Sequence, residues 1–168
     1  MLSESARMSS AQEARYRINA PNSLPRATKI IALDAPSEHL VKRLARAKWN
    51  GATFFTATAF ASTPRKGESL AGWLSDLAGR TKSLVDEVNT ADQVVMIATA
   101  GEDVPAASLI GEACSLKRVM TTALIAGSAG KSDAVLSKTL AQLRPWALML
   151  VIANSDDYIE DMLTALRA

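Results

Sequence analysis

Two kinds of apolar pattern alternate along the chain. Uninterrupted apolar runs in KIIALDA (29–35), DQVVMIATAG (92–101), VMTTALIAG (119–127) and WALMLVIAN (146–154) read as strands covered on both faces. NGATFFTATAF (50–60) reads as another, introduced by an Asn-Gly turn. The segments between them carry a helical period. In PSEHLVKRLARAKW (36–49), Leu40, Val41, Leu44 and Ala45 share one face, while Lys42, Arg43, Arg46 and Lys48 take the other. Pro36 falls in the first turn, where its missing N–H costs nothing. Leu70, Leu74, Leu77, Leu84 and Val88 predict a helix from Ser69 to about Val88, which Gly72 and Gly79 weaken. PAASLIGEACSLKR (105–118) predicts a helix with Leu109, Ile110 and Ala113 inward. SDAVLSKTLAQLR (132–144) predicts one with Val135, Leu136, Leu140 and Leu143 on one face, and SDDYIEDMLTALRA (155–168) predicts the last.

Five strands alternating with helices predict an α/β fold. The expected form is a three-layer Rossmann-like sandwich, with a mostly parallel five-stranded sheet and helices on both faces. Residues 29–168 form that single domain, and ASTPRKGE (61–68) is an exposed loop. Residues 1–28 read as a polar, partly disordered extension with no apolar segment of signal-peptide type.

Composition narrows the function classes. A chain of 168 residues, 48% apolar, holds enough core to fold without a disulfide or metal. Its one cysteine, Cys114, sits in an apolar helical context and reads as a small buried hydrophobe. A net charge of +2 argues for neither a nucleic-acid nor an anionic-membrane partner. The longest apolar run, Trp146 to Ala153, is far short of the ~20 residues that span a bilayer. The expected setting is cytoplasmic. His39 is the only histidine, so a His-based metal cluster is excluded, and it reads as a helix-surface residue. Trp49, Trp73 and Trp146 read as core or core-edge anchors.

Ligands of such sheets bind outside the carboxyl ends of the strands, so the turns after the strands are where chemistry is sought. IAGSAGKSDAV (125–135) has the strand-to-helix context of a phosphate loop and ends in Gly130-Lys131-Ser132. A Walker A loop requires a glycine at position 125, where this chain has Ile125. Asp133 would also repel a phosphate at the helix start, so Ser132 reads as an N-cap with Asp133 behind it. Neither G-x-G-x-x-G nor G-x-S-x-G occurs at the strand ends, so no motif names a cofactor. The preferred crevice residues are Thr99, Gly101, Glu102 and Asp103, followed by Gly130, Lys131 and Ser132, with Asp34 at the end of the first strand. Glycines would supply backbone donors, Lys131 a counter-charge, and the acids Asp34, Glu102, Asp103, Asp156 and Asp157 contacts to Mg²⁺ beside a phosphate, unless they are simply exposed helix-capping acids.

KIIALDAPSEHLVKRLARAKWNGATFFTA resembles the first strand, helix and second strand of the nucleotide-binding half of the bacterial tubulin homologue FtsZ. ADQVVMIATAGEDVPAASLIGEAC is similar to that family's strand ending in Thr-Ala-Gly with its following helix, and LAQLRPWALMLVIANSDD to its later helix and strand. The resemblance covers about residues 29 to 160 and implies a nucleotide-binding Rossmann-like fold. It transfers Gly101 as the strand-end glycine. The family's glycine-rich phosphate loops are replaced by Asp34-Ala35-Pro36-Ser37 and Glu102-Asp103-Val104-Pro105, and the second domain is not matched. GTP hydrolysis and filament formation are therefore not implied.

The leading expectation is a non-catalytic protein that binds a small anionic ligand or nucleotide, or that self-associates as a homo-oligomer. An enzyme acting on a phosphorylated or nucleotide substrate, with Asp34 or Asp103 as general base, is the second expectation. A protein-interaction module with no small ligand, using an apolar helix face, is the third.

Overall fold

The five apolar runs each supply a strand, and two further strands join them in one sheet. The computed structural model describes residues 24–57 and 73–168. The strands are β1 (Thr28–Ala32), β2 (Ala52–Thr56), β3 (Trp73–Asp76), β4 (Thr81–Ser83), β5 (Gln93–Thr99), β6 (Met120–Ala126) and β7 (Met149–Ile152). Their order is β4-β3-β2-β1-β5-β6-β7. β2, β1, β5, β6 and β7 are mutually parallel, and β3 and β4 add antiparallel at the β2 side. Counting the parallel strands alone, the order is 2-1-3-4-5, that of flavodoxin-like doubly wound folds.

The helices are α1 (Ala35–Leu44), α2 (Leu84–Asn89), α3 (Ala106–Lys117), α4 (Asp133–Leu143) and α5 (Asp156–Ala165). Strand alternation sorts the core into two layers. Ile30, Ala32, Val95, Ile97, Leu124 and Ala126 face α1 and α5, meeting Leu40, Val41, Leu44, Ile159 and Leu163. Ile31, Val94, Met96, Ala98, Ala123 and Ile125 face α2, α3 and α4. Every residue of β5 except Thr99 is buried, as a central parallel strand requires.

The fold class is as expected, but the sheet has seven strands rather than five. The difference lies in the segment whose leucine spacing predicts a helix from Ser69 to Val88. Residues 73–83 instead form a hairpin, and the helix shrinks to Leu84–Asn89. The turn explains the override. The Asp76 carboxylate accepts the N–H groups of Ala78 (3.0 Å) and Arg80 (2.8 Å), and Gly79 takes the left-handed φ of +79° that glycine tolerates. Leu74 and Leu84 still reach one core, from a strand and from a short helix, while Leu77 is left exposed at the turn. Leu70, the 61–68 loop and residues 1–23 lie outside the described residues, as does the Trp73 side chain. Order begins before Lys29, because the Arg26 N–H donates to the Arg167 carbonyl at 3.0 Å and the Ala27 N–H to Asp92 at 2.8 Å.

Cys114 is buried, and desolvation pushes its thiol up to about 12, so it stays protonated as a packing group. No helix among the described residues is long and apolar enough to cross a membrane.

Gly111 faces the Trp146 side chain, where a Cβ would lie 2.4 Å from the Trp146 Cβ. Gly111→Ala should therefore destabilise the protein by about 1–3 kcal/mol through overpacking, despite the ~1 kcal/mol of helix propensity it gains. Urea denaturation of the two proteins measures the difference.

Candidate functional site

β1 leaves the sheet into α1 on one face, and its neighbour β5 leaves into α3 on the other. The chain thus departs in opposite directions from adjacent strands, which defines the switch point where a crevice opens. Asp34 stands at that point as the N-cap of α1, in extended conformation and 6% exposed. Its Oδ1 accepts the Ser37 N–H (2.8 Å) and the Thr99 hydroxyl (2.9 Å), and its Oδ2 accepts the Thr99 N–H (2.7 Å). The Ser37 hydroxyl completes a reciprocal cap on the Asp34 backbone. One carboxylate therefore ties the loop after β1 to the end of β5.

Beside this tie, on the α1–α5 side, lies a cleft of about 250 Å³. Its walls are Pro36, Ser37, His39, Leu40 and Arg43 of α1, and Asp156 of α5. Thr99, Ala126 and Gly127 line it from the ends of β5 and β6. His39 and Arg43 are one turn apart on α1, and both are exposed. The Arg43 guanidinium pairs with the Asp156 carboxylate across the cleft. Gly127 has φ +65°, and a Cβ there would sit 3.4 Å from the Thr99 Cγ2.

The expected crevice residues divide into three places. Asp34 and Thr99 come together, and Thr99 lines the cleft. Gly101, Glu102 and Asp103 are drawn instead to α4 on the opposite face. The Gly101 N–H donates to Thr139 Oγ1 (2.9 Å), whose hydroxyl donates to the Glu102 carbonyl (3.1 Å), and the Val104 N–H donates to Gln142 Oε1 (2.8 Å). The backbone donors expected from this loop are thus partly spent within the fold. Asp103 accepts from Gln142 (3.1 Å) and Lys138 (3.2 Å), and those partners hold its carboxyl below the usual carboxylate range. It stays ionised at neutral pH, and its tie to α4 is lost as the pH falls through that lowered value.

Gly130, Lys131 and Ser132 form the third group, exposed on the loop between β6 and α4 and outside the cleft lining. Gly130 has φ +72°, and the Lys131 N–H closes a turn on the Ser128 carbonyl at 3.1 Å. Ser132 caps α4 by accepting from the Val135 N–H, with Asp133 in the first turn. As for Mg²⁺, Asp34, Asp103 and Asp156 each have a separate protein partner. Among the described residues no group of three His, Cys, Asp or Glu side chains converges to hold a metal ion.

The cleft residues passed over by the sequence argument are His39 and Arg43. Their signal was present: two basic side chains four apart, in the helix that follows the first strand.

No family model matches this chain. No curated protein matches it either. Among solved structures it is similar to the apo-form of the flavoprotein from Lactobacillus acidophilus NCFM, determined by NMR. That likeness has a TM-score of 0.47 and 10% identity, covering 82% of this chain and 99% of the other. Of what the FtsZ resemblance implies, the strand order supports the Rossmann-like α/β fold alone.

Removing the Asp34 carboxylate deletes a helix cap and strands the buried Ser37 N–H and the partly buried donors of Thr99. Asp34→Ala should cost about 2–4 kcal/mol, and Thr99→Val, which removes one hydroxyl donor, about 1 kcal/mol. Denaturation midpoints of both variants against the parent give the ranking.

Proposed function

We propose that this chain is a non-catalytic binding protein that takes a small anionic ligand in the cleft between α1 and α5. A phosphate-bearing molecule such as a nucleotide is the class that the cleft suits. The observation that carries the reading is the pair His39 and Arg43, set four residues apart at the mouth of a crevice beside the switch point. Arg43 offers a planar, permanently charged fork, which matches phosphate and carboxylate oxygens. Thr99 lies in the lining, and Gly127 admits a ligand close to the backbone. Asp156 pairs with Arg43, and an anionic ligand would take its place.

The binding reading is favoured over the enzymatic one by the state of the two candidate bases. Asp34 accepts three hydrogen bonds in a buried position, and Asp103 is engaged by Lys138 and Gln142 outside the cleft lining. A general base must reach the proton it removes, and neither carboxylate is free to do so.

Thermal denaturation in the presence of inorganic phosphate, AMP, GTP and flavin mononucleotide tests the proposal. A ligand at 100 times its dissociation constant should add about 2.7 kcal/mol of stability, a rise of several degrees in Tm. Arg43→Ala and His39→Ala should abolish that rise while leaving the unliganded Tm nearly unchanged, since the Arg43–Asp156 pair is solvent-exposed. A flat response to every phosphate-bearing probe, or a rise that survives both substitutions, overturns the proposal.

A further inference from the structure

The two edges of the sheet are built differently. β4, at one edge, is the three-residue polar strand Thr81-Lys82-Ser83. Short length and a lysine are the usual protection of an edge against pairing with another chain. β7, at the other edge, is Met149-Leu150-Val151-Ile152, within the uncharged run from Trp146 to Ala153. Among the described residues no strand lies beyond it. Leu148 is 79% exposed, Met149 37% and Ile152 38%. At the end of the strand the Ala153 N–H donates inward to the Ile125 carbonyl at 2.8 Å. Strand alternation therefore turns Met149 and Val151 toward β6 and aims the N–H and C=O groups of Leu150 and Ile152 away from it.

We infer that β7 is a self-association edge, pairing antiparallel with β7 of a second copy of this chain about a two-fold axis. The strand is self-complementary in that arrangement. With the axis at Leu150, the two copies of Leu150 exchange backbone hydrogen bonds across the junction, and exposed Leu148 faces exposed Ile152 of the other copy. Charge selects the same orientation. The start of β7 is preceded by Arg144, and Arg118 precedes the neighbouring β6; the end of β7 is followed by Asp156 and Asp157. An antiparallel pair brings the basic end of one copy beside the acidic end of the other, whereas a parallel pair would place like charges together. Arg144 and Asp157 have no ion-pair partner among the described residues.

Sedimentation equilibrium of the full chain tests this inference independently of any ligand. At high micromolar concentration the mass should approach twice the 17.9 kDa of one chain, and should fall on dilution. Leu148→Lys places a charge on an exposed edge position and should leave a folded monomer. Arg144→Glu should weaken the dimer roughly three- to tenfold, and Arg144→Glu combined with Asp157→Lys should restore it. A monomer at every concentration overturns the inference. So does a dimer indifferent to Leu148→Lys and the charge exchange, or an open series of larger species.

Discussion

The Asp34 carboxylate is the constraint on which the loops at the carboxyl ends of the strands depend. Adjacent parallel strands whose chains leave in opposite directions tend to part at their ends, and the loops there have no ladder partner. Asp34 closes that gap by accepting one N–H from its own helix and two donors from Thr99. Because it is nearly buried, the bonds act in a low-dielectric setting, where an unmade partner would be expensive. The same tie sets the first turn of α1, and with it the positions of His39 and Arg43 beside the ends of β5 and β6.

The loop after β5 is held in a second way, with a different consequence. Thr139 and Gln142 of α4 satisfy the Gly101 and Val104 N–H groups, and Lys138 balances Asp103. Gly101 has φ +95°, and a Cβ there would meet the Val135 Cγ1 at 2.7 Å, so helix and loop pack without room between them. On this face the crevice is filled by the protein's own side chains. On the α1–α5 face it stays open, bridged by the solvent-exposed Arg43–Asp156 pair. Two loops of similar composition thus serve different purposes, according to which helix reaches them.

The sheet shows a comparable division at its edges. The β3–β4 hairpin extends the β2 side with a polar turn and a short final strand, and Asp76, Gly79 and Arg80 fix the reversal. The β7 side ends in an apolar strand packed only half into the two cores, Leu150 against one layer and Val151 against the other. That strand meets the demands of a central position while standing at the margin, and an edge-to-edge partner would give it one.

The hydrophobic pattern by itself determined the parallel strands, the helices between them and the two-faced core, because strands buried on both sides must be apolar at every position. Residue type and near neighbours in sequence marked the cap at Ser132 and Cys114 as a packing group. The hairpin at 73–83 was hidden because leucines spaced for a helix can be satisfied equally by a strand and a short helix, and only pairing with β2 decides between them. The site was half legible. Asp34 and Thr99 were both marked as strand-end residues, but their union spans 65 positions and exists only once β1 and β5 are neighbours. Gly101 to Asp103 offered the composition of a ligand loop, and the approach of α4 assigned their donors elsewhere. His39 and Arg43 looked like an ordinary solvated helix face until the strand order placed that face against the switch point. Local hydrogen bonding and burial are written in short stretches of sequence; which loop remains open to solvent depends on what else packs against it.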